Sequence, residues 1–395
     1  MNPLETLSSP FGSYSLQRLP LRTKETLRAW DAADEYLLQD LSDEDKTPND
    51  NAKVLIINDQ FGALATSLSK YNVTCWGDSY LGEISTIHNY AINNIEINAL
   101  LVASTNQPSG IFDVVLIKVP KTLALLEQQL ITLQHHIDAN TTIIAGGMVK
   151  NIHNSTTALF KKYIGPTVTS LAKKKARLIH PTYANKSGAS SPYPTNYLDE
   201  TTGLTLSNNA NVFSRENLDI GARFMLEQFE KLPSAQNIID LGCGNGVLGV
   251  MAKKTLPECR LTFIDESYMA IDSAKINYIA AINNDLDASF IIADSLTDVT
   301  LDKPDLILCN PPFHQHNTVG DHIAWRMISQ SYKALKRGGQ LWVIGNRQLS
   351  YHSKIERLFG NCETIAANKK FVVLAGTKDI PKQKSASDPW SKTKI

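Results

Sequence analysis

Cysteine is scarce in this chain of 395 residues: five, at positions 75, 243, 259, 309 and 362, with no CxxC pair and no ligand-like spacing to histidine. That excludes a disulfide scaffold and gives no reason to expect a bound metal, so the thiols are expected to be reduced. Long apolar runs are missing too. No stretch reaches the roughly 18 residues needed to cross a bilayer, and the opening "MNPLETLSSPFGSYSLQRLP" lacks the basic start and apolar middle of a secretory signal. Nor is there an excess of either charge, since 39 Lys and Arg balance 39 Asp and Glu. The expectation is a cytoplasmic monomer with no membrane or DNA partner.

With 43% hydrophobic and 20% charged residues the composition is that of an ordinary globular protein, and the length favours two domains. The balanced charge is uneven along the chain. Residues 1–50 hold ten acids against five bases, whereas residues 161–198 hold seven bases and no acid. The densest basic segment, "AKKKARLIH", carries Lys173, Lys174, Lys175 and Arg177. It reads equally well as an edge strand guarded by lysines or as a patch that contacts phosphates.

An internal repeat organises the whole. "KVLIINDQFGALATSLSKYNVTCWGDSYLGEISTIHNYAINN" (53–94) can be laid against "NIIDLGCGNGVLGVMAKKTLPECRLTFIDESYMAIDSAKINYIAAINN" (237–284). Each copy reads as an apolar strand, a turn with glycine, a helix, a second strand ending near Asp and Ser, and another helix. "FDVVLIKVPK" (112–121) then matches "PDLILCNPPF" (304–313). Such alternation implies a mainly parallel sheet covered on both faces, twice over. The fold expected is therefore α/β, with two tandem Rossmann-like domains. The first domain spans 1–185 and the second 186–378; the Pro-, Ser- and Gly-rich stretch 181–200 joins them, and a polar tail, 379–395, follows.

The second copy carries the chemistry. "IIDLGCGNGVLGV" ends a strand and turns through Asp240, Gly242, Gly244 and Gly246 into a helix. A dinucleotide site would place its third glycine at position 247, which is Val247. D-x-G-x-G-x-G instead resembles motif I of S-adenosylmethionine-dependent methyltransferases, where an acid before the glycines suits a ligand bearing an ammonium group. Asp265 closes the second strand, where a carboxylate can take both ribose hydroxyls, and Asp294 closes the third, where it can accept from an adenine amine. The fourth strand ends in Asn310, Pro311, Pro312 and Phe313. Two prolines remove two N–H donors, so the Asn310 side-chain oxygen and the Pro311 carbonyl are free to accept from an exocyclic amine. Holding its protons aims the nitrogen lone pair at the methyl donor, and Phe313 offers a ring on which a flat base can stack.

Together "VFSRENLDIGARFML" (212–226), "DLGCGNG", "FIDES" and "CNPPFHQ" resemble bacterial ribosomal RNA guanine-N2 methyltransferases, a family of duplicated methyltransferase domains with one active copy. In the first half "LQRLP", "AWDAADEYLL", "NDQFGAL", "LIKVPKTLALLEQQL" and "KKARLI" are more similar to members acting on 23S rRNA than to those acting on 16S rRNA. The resemblance implies S-adenosylmethionine as cofactor, held by Asp240, Gly242, Cys243, Gly244, Gly246, Asp265, Asp294 and Asn310. It implies catalysis at Asn310, Pro311, Pro312 and Phe313, with Asp219 and Arg223 near the site. The first copy is then degenerate, with Gln60 and Phe61 expected to fill its cofactor space, and it grips RNA through Lys173, Lys174, Lys175, Arg177, Lys118 and Lys121. Methylation of 16S rRNA, methylation of a glutamine side-chain amide, and RNA binding without catalysis are the competing readings.

Overall fold

A computed structural model describes residues 4–22, 25–185, 188–283, 288–312 and 318–379. The first half opens with a hairpin of β1 (Glu5–Ser9) and β2 (Gly12–Leu16), followed by α1 (Ala32–Leu41). Then come β3 (Lys53–Ile57), α2 (Ala63–Ser67), β4 (Asn72–Gly77), α3 (Tyr80–Ile92), β5 (Leu100–Ala103), β6 (Val114–Lys118), α4 (Leu123–Leu133), β7 (Thr142–Met148), α5 (Asn154–Tyr163), β8 (Thr167–Thr169) and β9 (Ala176–Pro181). The second half repeats this plan. A hairpin of β10 (Thr195–Asp199) and β11 (Leu204–Asn208) leads through α6 (Ile220–Leu226) into β12 (Asn237–Leu241), α7 (Val247–Thr255), β13 (Arg260–Asp265), α8 (Tyr268–Ile282) and β14 (Ala288–Ile292). The chain ends with β15 (Leu306–Cys309), α9 (Thr318–Ala334), β16 (Gln340–Asn346), α10 (Tyr351–Phe359), β17 (Glu363–Ala367) and β18 (Phe371–Thr377).

The two sheets share one topology. Their strand orders are β5-β4-β3-β6-β7-β9-β8 and β14-β13-β12-β15-β16-β18-β17, parallel except for β9 and β18, each antiparallel to both its neighbours. Both β6 and β15 are buried at every position, as parallel strands covered on both faces must be. Helices pack on each face, so each sheet separates two apolar clusters. Helix starts repeat as well. Gly62 and Gly246 begin α2 and α7 at φ +74° and +78°, and a Cβ on either would collide with α3 or α8. Ser79 and Ser267 cap α3 and α8 by accepting from the backbone of Gly82 and Ala270.

Those capped starts meet each other. Ser79 and Ser267 form an antiparallel bridge, the Tyr80 N–H donates to the Glu266 carbonyl (3.0 Å), and the Tyr268 N–H donates to the Asp78 carbonyl (3.4 Å). Trp76 pairs with Ile57, and Ile264 with Leu241, so Asp78 and Glu266 hold equivalent positions. The contact is thus approximately two-fold, like a homodimer interface within one chain. The carboxyl end of β4 in the first half abuts the carboxyl end of β13 in the second.

Two local expectations change. The stretch read as a linker contains β10, whose Tyr197 packs on the second core. Also, Lys173, Lys174 and Lys175 lie in the turn between β8 and β9 rather than on the edge strand, which is β8. Residues 380–395 of the expected tail lie outside the described part.

Candidate active site

Strand order reverses between β12 and β15, so their carboxyl ends splay apart and leave a crevice. A cavity of about 390 Å³ lies there, lined by the glycine turn, by Asp265 and Asp294 from the neighbouring strand ends, by Asn310, Pro311 and Pro312 after β15, and by residues 213–222 and α9. Its floor is apolar, with Val247, Leu248, Ile264 and Met327.

Gly242 and Gly244 sit at φ +70° and +55°. A Cβ on Gly244 would meet nothing within 4 Å, so its bare backbone faces open space, while one on Gly242 would touch Met327. Both glycines and Cys243 line the cavity. Gly246 does not; it is needed where α7 crosses Ala274 of α8. The Asp265 carboxylate accepts the Gly244 N–H on one oxygen and the Ser267 N–H on the other, both at 3.0 Å. Burial holds its pKa above the ordinary aspartate range despite those bonds.

One expected ligand contact is corrected, and another has a partner within the protein. Asp240 is 1% exposed and lies beneath the turn, where Oδ2 accepts the Gly249 N–H (2.8 Å) and Oδ1 has no hydrogen-bond partner among the described residues. Burial pushes its pKa up to about 8, against the Gly249 hydrogen bond and with a smaller push from Asp265, and the side chain ties the start of α7 to β12 instead of facing an ammonium group. Asp294 reaches the cavity, and its two oxygens accept from Nη1 and Nη2 of Arg326, which fixes the carboxylate and leaves it further lone pairs. Arg326 carries no motif and was not legible in the sequence. Its place on α9 becomes visible once the helix folds back over the sheet.

Asn310 is oriented by a neighbour. Its Nδ2 donates to Asp219 Oδ2 (3.2 Å), an oxygen that also accepts the Ala222 N–H (2.8 Å) and caps α6. A carboxylate can only accept, so the amide must turn its –NH₂ toward Asp219. Asn310 Oδ1 is then shielded from solvent and has no donor among the described residues. Pro311 is buried and Pro312 exposed at the cavity wall, whereas Phe313 lies outside the described residues. Phe213, 71% exposed at the same wall, is an aromatic ring that the sequence did not single out. Arg223 turns away and pairs with Asp199 of β10 (3.3 Å).

The first half keeps a cleft at the equivalent place, about 410 Å³. Gln60 and Phe61 do not fill it. Phe61 is buried in the core beneath the Arg18 guanidinium, 4.2 Å from its ring centre. Chemistry is what differs. Ile117 and Cys309 hold equivalent places beside Ile57 and Leu241, which sets Lys118 where Asn310 stands, Gly77 where Asp265 stands and Gln60 where Gly244 stands. Lys118 is 5% exposed and bound to Asp31 (2.7 Å) and Asp34 (2.8 Å), so its charge is neutralised inside the protein and does not reach RNA. Burial alone would lower its pKa, but the two carboxylates outweigh it and the pKa rises. Lys121 is exposed on the wall of that cleft. Lys173 lies over the Tyr36 ring (5.5 Å), Lys174 pairs with Glu35 (2.7 Å), and Lys175 is exposed beside them, whereas Arg177 is half-buried on β9. A groove of about 360 Å³ joins Lys173 and Lys174 to Arg28, Trp30 and Tyr36.

No group of three or more His, Cys, Asp or Glu side chains among the described residues has metal-binding geometry, and no helix among them is long and apolar enough to cross a membrane. Comparison with known proteins adds the following. Residues 4–185 match the RLMG N-terminal domain family and residues 203–375 the methyltransferase small domain family. A protein of Aeromonas salmonicida named ribosomal RNA large subunit methyltransferase G is 48% identical over 92% of this chain and 97% of its own length. Its namesake from Pseudomonas putida is 46% identical over 94% and 99%. Among solved structures, the Thermus thermophilus 16S rRNA N2 G1207 methyltransferase, in complex with AdoMet and guanosine, superposes over 95% of this chain and 98% of its own at a TM-score of 0.72. At 17% identity that likeness speaks for the fold.

Proposed function

The chain belongs to the ribosomal RNA large subunit methyltransferase G family, and from that premise we propose that it methylates the exocyclic N2 amine of one guanosine in 23S rRNA, using S-adenosylmethionine. In this reading the second half catalyses and the first half, a degenerate copy, grips the RNA. The observation that carries it is that one cavity is lined by an open glycine turn and by an amide whose oxygen has no donor among the described residues.

The residues present fit the cofactor. Gly244 leaves room for close approach of a ligand, and Asp265, fixed by two backbone N–H groups, keeps further lone pairs for ribose hydroxyls. Bound there, the cofactor would supply an electrophilic methyl group and a neutral thioether as the leaving group, and the proton released from the amine would pass to water. Asn310 Oδ1 and the Pro311 carbonyl accept the two amine protons, which pyramidalises the nitrogen and directs its lone pair. An acceptor buried without a donor costs about 1–3 kcal/mol, and an arriving amine removes that penalty. Apolar walls exclude water and strengthen those bonds.

RNA gripping rests on Lys121 and on Lys173, Lys174 and Lys175. Their turn lies at the carboxyl end of the first sheet, since the Val149 N–H after β7 donates to the Lys175 carbonyl (2.8 Å). Phosphate contacts of this kind position RNA without reading it. The test is to incubate methyl-labelled cofactor with ribosomal RNA and ribosomal protein, then digest and separate. Label in N2-methylguanosine from 23S rRNA is expected, and label in 16S rRNA or in glutamine contradicts the reading.

A further inference from the structure

Among the described residues, Asp219 makes use of only one of its oxygens. Oδ2 accepts from both Ala222 and Asn310, whereas Oδ1 has no hydrogen bond among the described residues, although the side chain lines the cavity beside Asn310 and Pro311. A carboxylate oxygen with this freedom, next to two acceptors already assigned to an amine, faces whatever the base carries beside that amine.

We propose that Asp219 is the guanine-selecting residue of the site, with Oδ2 setting the Asn310 amide and Oδ1 accepting from the N1–H of the target base. The assignment rests on the guanine-N2 reading above. Guanine presents N2–H₂ and N1–H side by side, three donor hydrogens against three acceptors: Asn310 Oδ1, the Pro311 carbonyl and Asp219 Oδ1. Adenine, whose amine flanks an unprotonated N1, would set a lone pair against the carboxylate. An Asn-Pro-Pro end that holds any planar amine therefore gains its choice of purine from a residue 91 positions earlier in the chain. Hydrogen bonding of N1–H to an anion also pushes electron density toward N2, which makes the attacking nitrogen a better nucleophile.

Substitutions separate the two oxygens. In Asp219→Asn the amide oxygen is required at the α6 cap and toward Asn310, so the new –NH₂ replaces Oδ1 and offers a donor where N1–H needs an acceptor. Asp219→Ser still caps α6 but is too short to serve the base or Asn310. The experiment uses the full chain and a 23S rRNA fragment with the mapped target base as guanine or as 2,6-diaminopurine, which keeps the 2-amine but has an unprotonated N1. Turnover, cofactor affinity and melting temperature are measured for each protein.

Wild type should prefer guanine by at least about a hundredfold, the size expected when a site built for a hydrogen bond meets an analogue lacking it. Asp219→Asn should lose at least about tenfold on guanine and gain on diaminopurine, a reversal that no loss of folding produces. Asp219→Ser should melt like wild type and bind cofactor equally, yet turn over slowly and without preference. Wild-type turnover of guanine by Asp219→Asn, or an unchanged preference in both variants, overturns the assignment. Failure of the wild type to label guanine at all would overturn the guanine-N2 reading and this assignment with it.

Discussion

Where the second half places Gly244, Asp265 and Asn310, the first half places Gln60, Gly77 and Lys118, at matching positions of two sheets with the same strand order. What the halves retain in common is the frame: buried apolar strands, a left-handed glycine at the first helix, a serine cap at the second. What differs sits at three strand ends. The first cleft has not collapsed, since it keeps about 410 Å³ against about 390 Å³ in the second. Its polar groups have instead been turned inward, with Lys118 bound to Asp31 and Asp34, whereas in the second half Asn310 keeps an oxygen without a partner among the described residues. On the proposed division of labour, the first half would have lost its activity by satisfying its own polar groups, with no loss of space.

The most damaging way to break this contrast is at Asn310. Asn310→Ala should lower turnover by at least about a hundredfold, the scale of losing one preorganised polar contact in a transition state, while cofactor affinity measured by calorimetry stays near wild type. Equal losses in both would mean that the amide serves the cofactor. Next comes its counterpart. Lys118→Met strands Asp34 and Asp31 and should cost the first half about 3 kcal/mol in urea unfolding at pH 8. Burial, with Asp31 and Asp59 adding to it, already holds Asp34 above the ordinary aspartate pKa, so the deficit should shrink at pH 5, where that acid protonates readily.

These contrasts were only partly legible in the sequence. The repeat, the parallel sheets and the cleft followed from apolar runs and glycine turns, which report directly on burial and φ. Asn310, Gly244 and Asp265 were legible because they interrupt such runs at strand ends. Asp240 was misplaced, and the partner of Asp294 missed, for one reason: a carboxylate at a strand end is equally compatible with facing a ligand, lying under a turn or pairing with a helix. The partners that decide, Gly249 and Arg326, are 9 and 32 residues away. Lys118 looked like surface charge because nothing in "KVPK" shows that Asp31 and Asp34 fold over it.

A smaller effect concerns the outer surface of the first half. Changing Lys121, Lys173, Lys174 and Lys175 to Glu should raise the Michaelis constant for 23S rRNA severalfold, flatten the fall of log affinity with log salt, and leave the modified base unchanged. Unaltered binding at moderate salt would reduce that turn to a solvated loop. Smallest of all should be the catalytic consequence of Asp240→Asn, at a position where the first half has Ile56. The amide keeps the bond to Gly249 and should cost far less cofactor affinity than Asp265→Ala. Because the native carboxyl has a pKa raised to about 8, wild-type stability should fall as pH climbs from the usual aspartate range toward 8, and the variant should lack that decline in unfolding series at several pH values.

The comparison itself is tested most directly by equilibrium dialysis of the intact chain against methyl-labelled S-adenosylmethionine. One site per chain is expected, abolished by Asp265→Ala and unaffected by Gln60→Ala in the first cleft. Two sites, or one that survives Asp265→Ala, would contradict the division of labour between the halves.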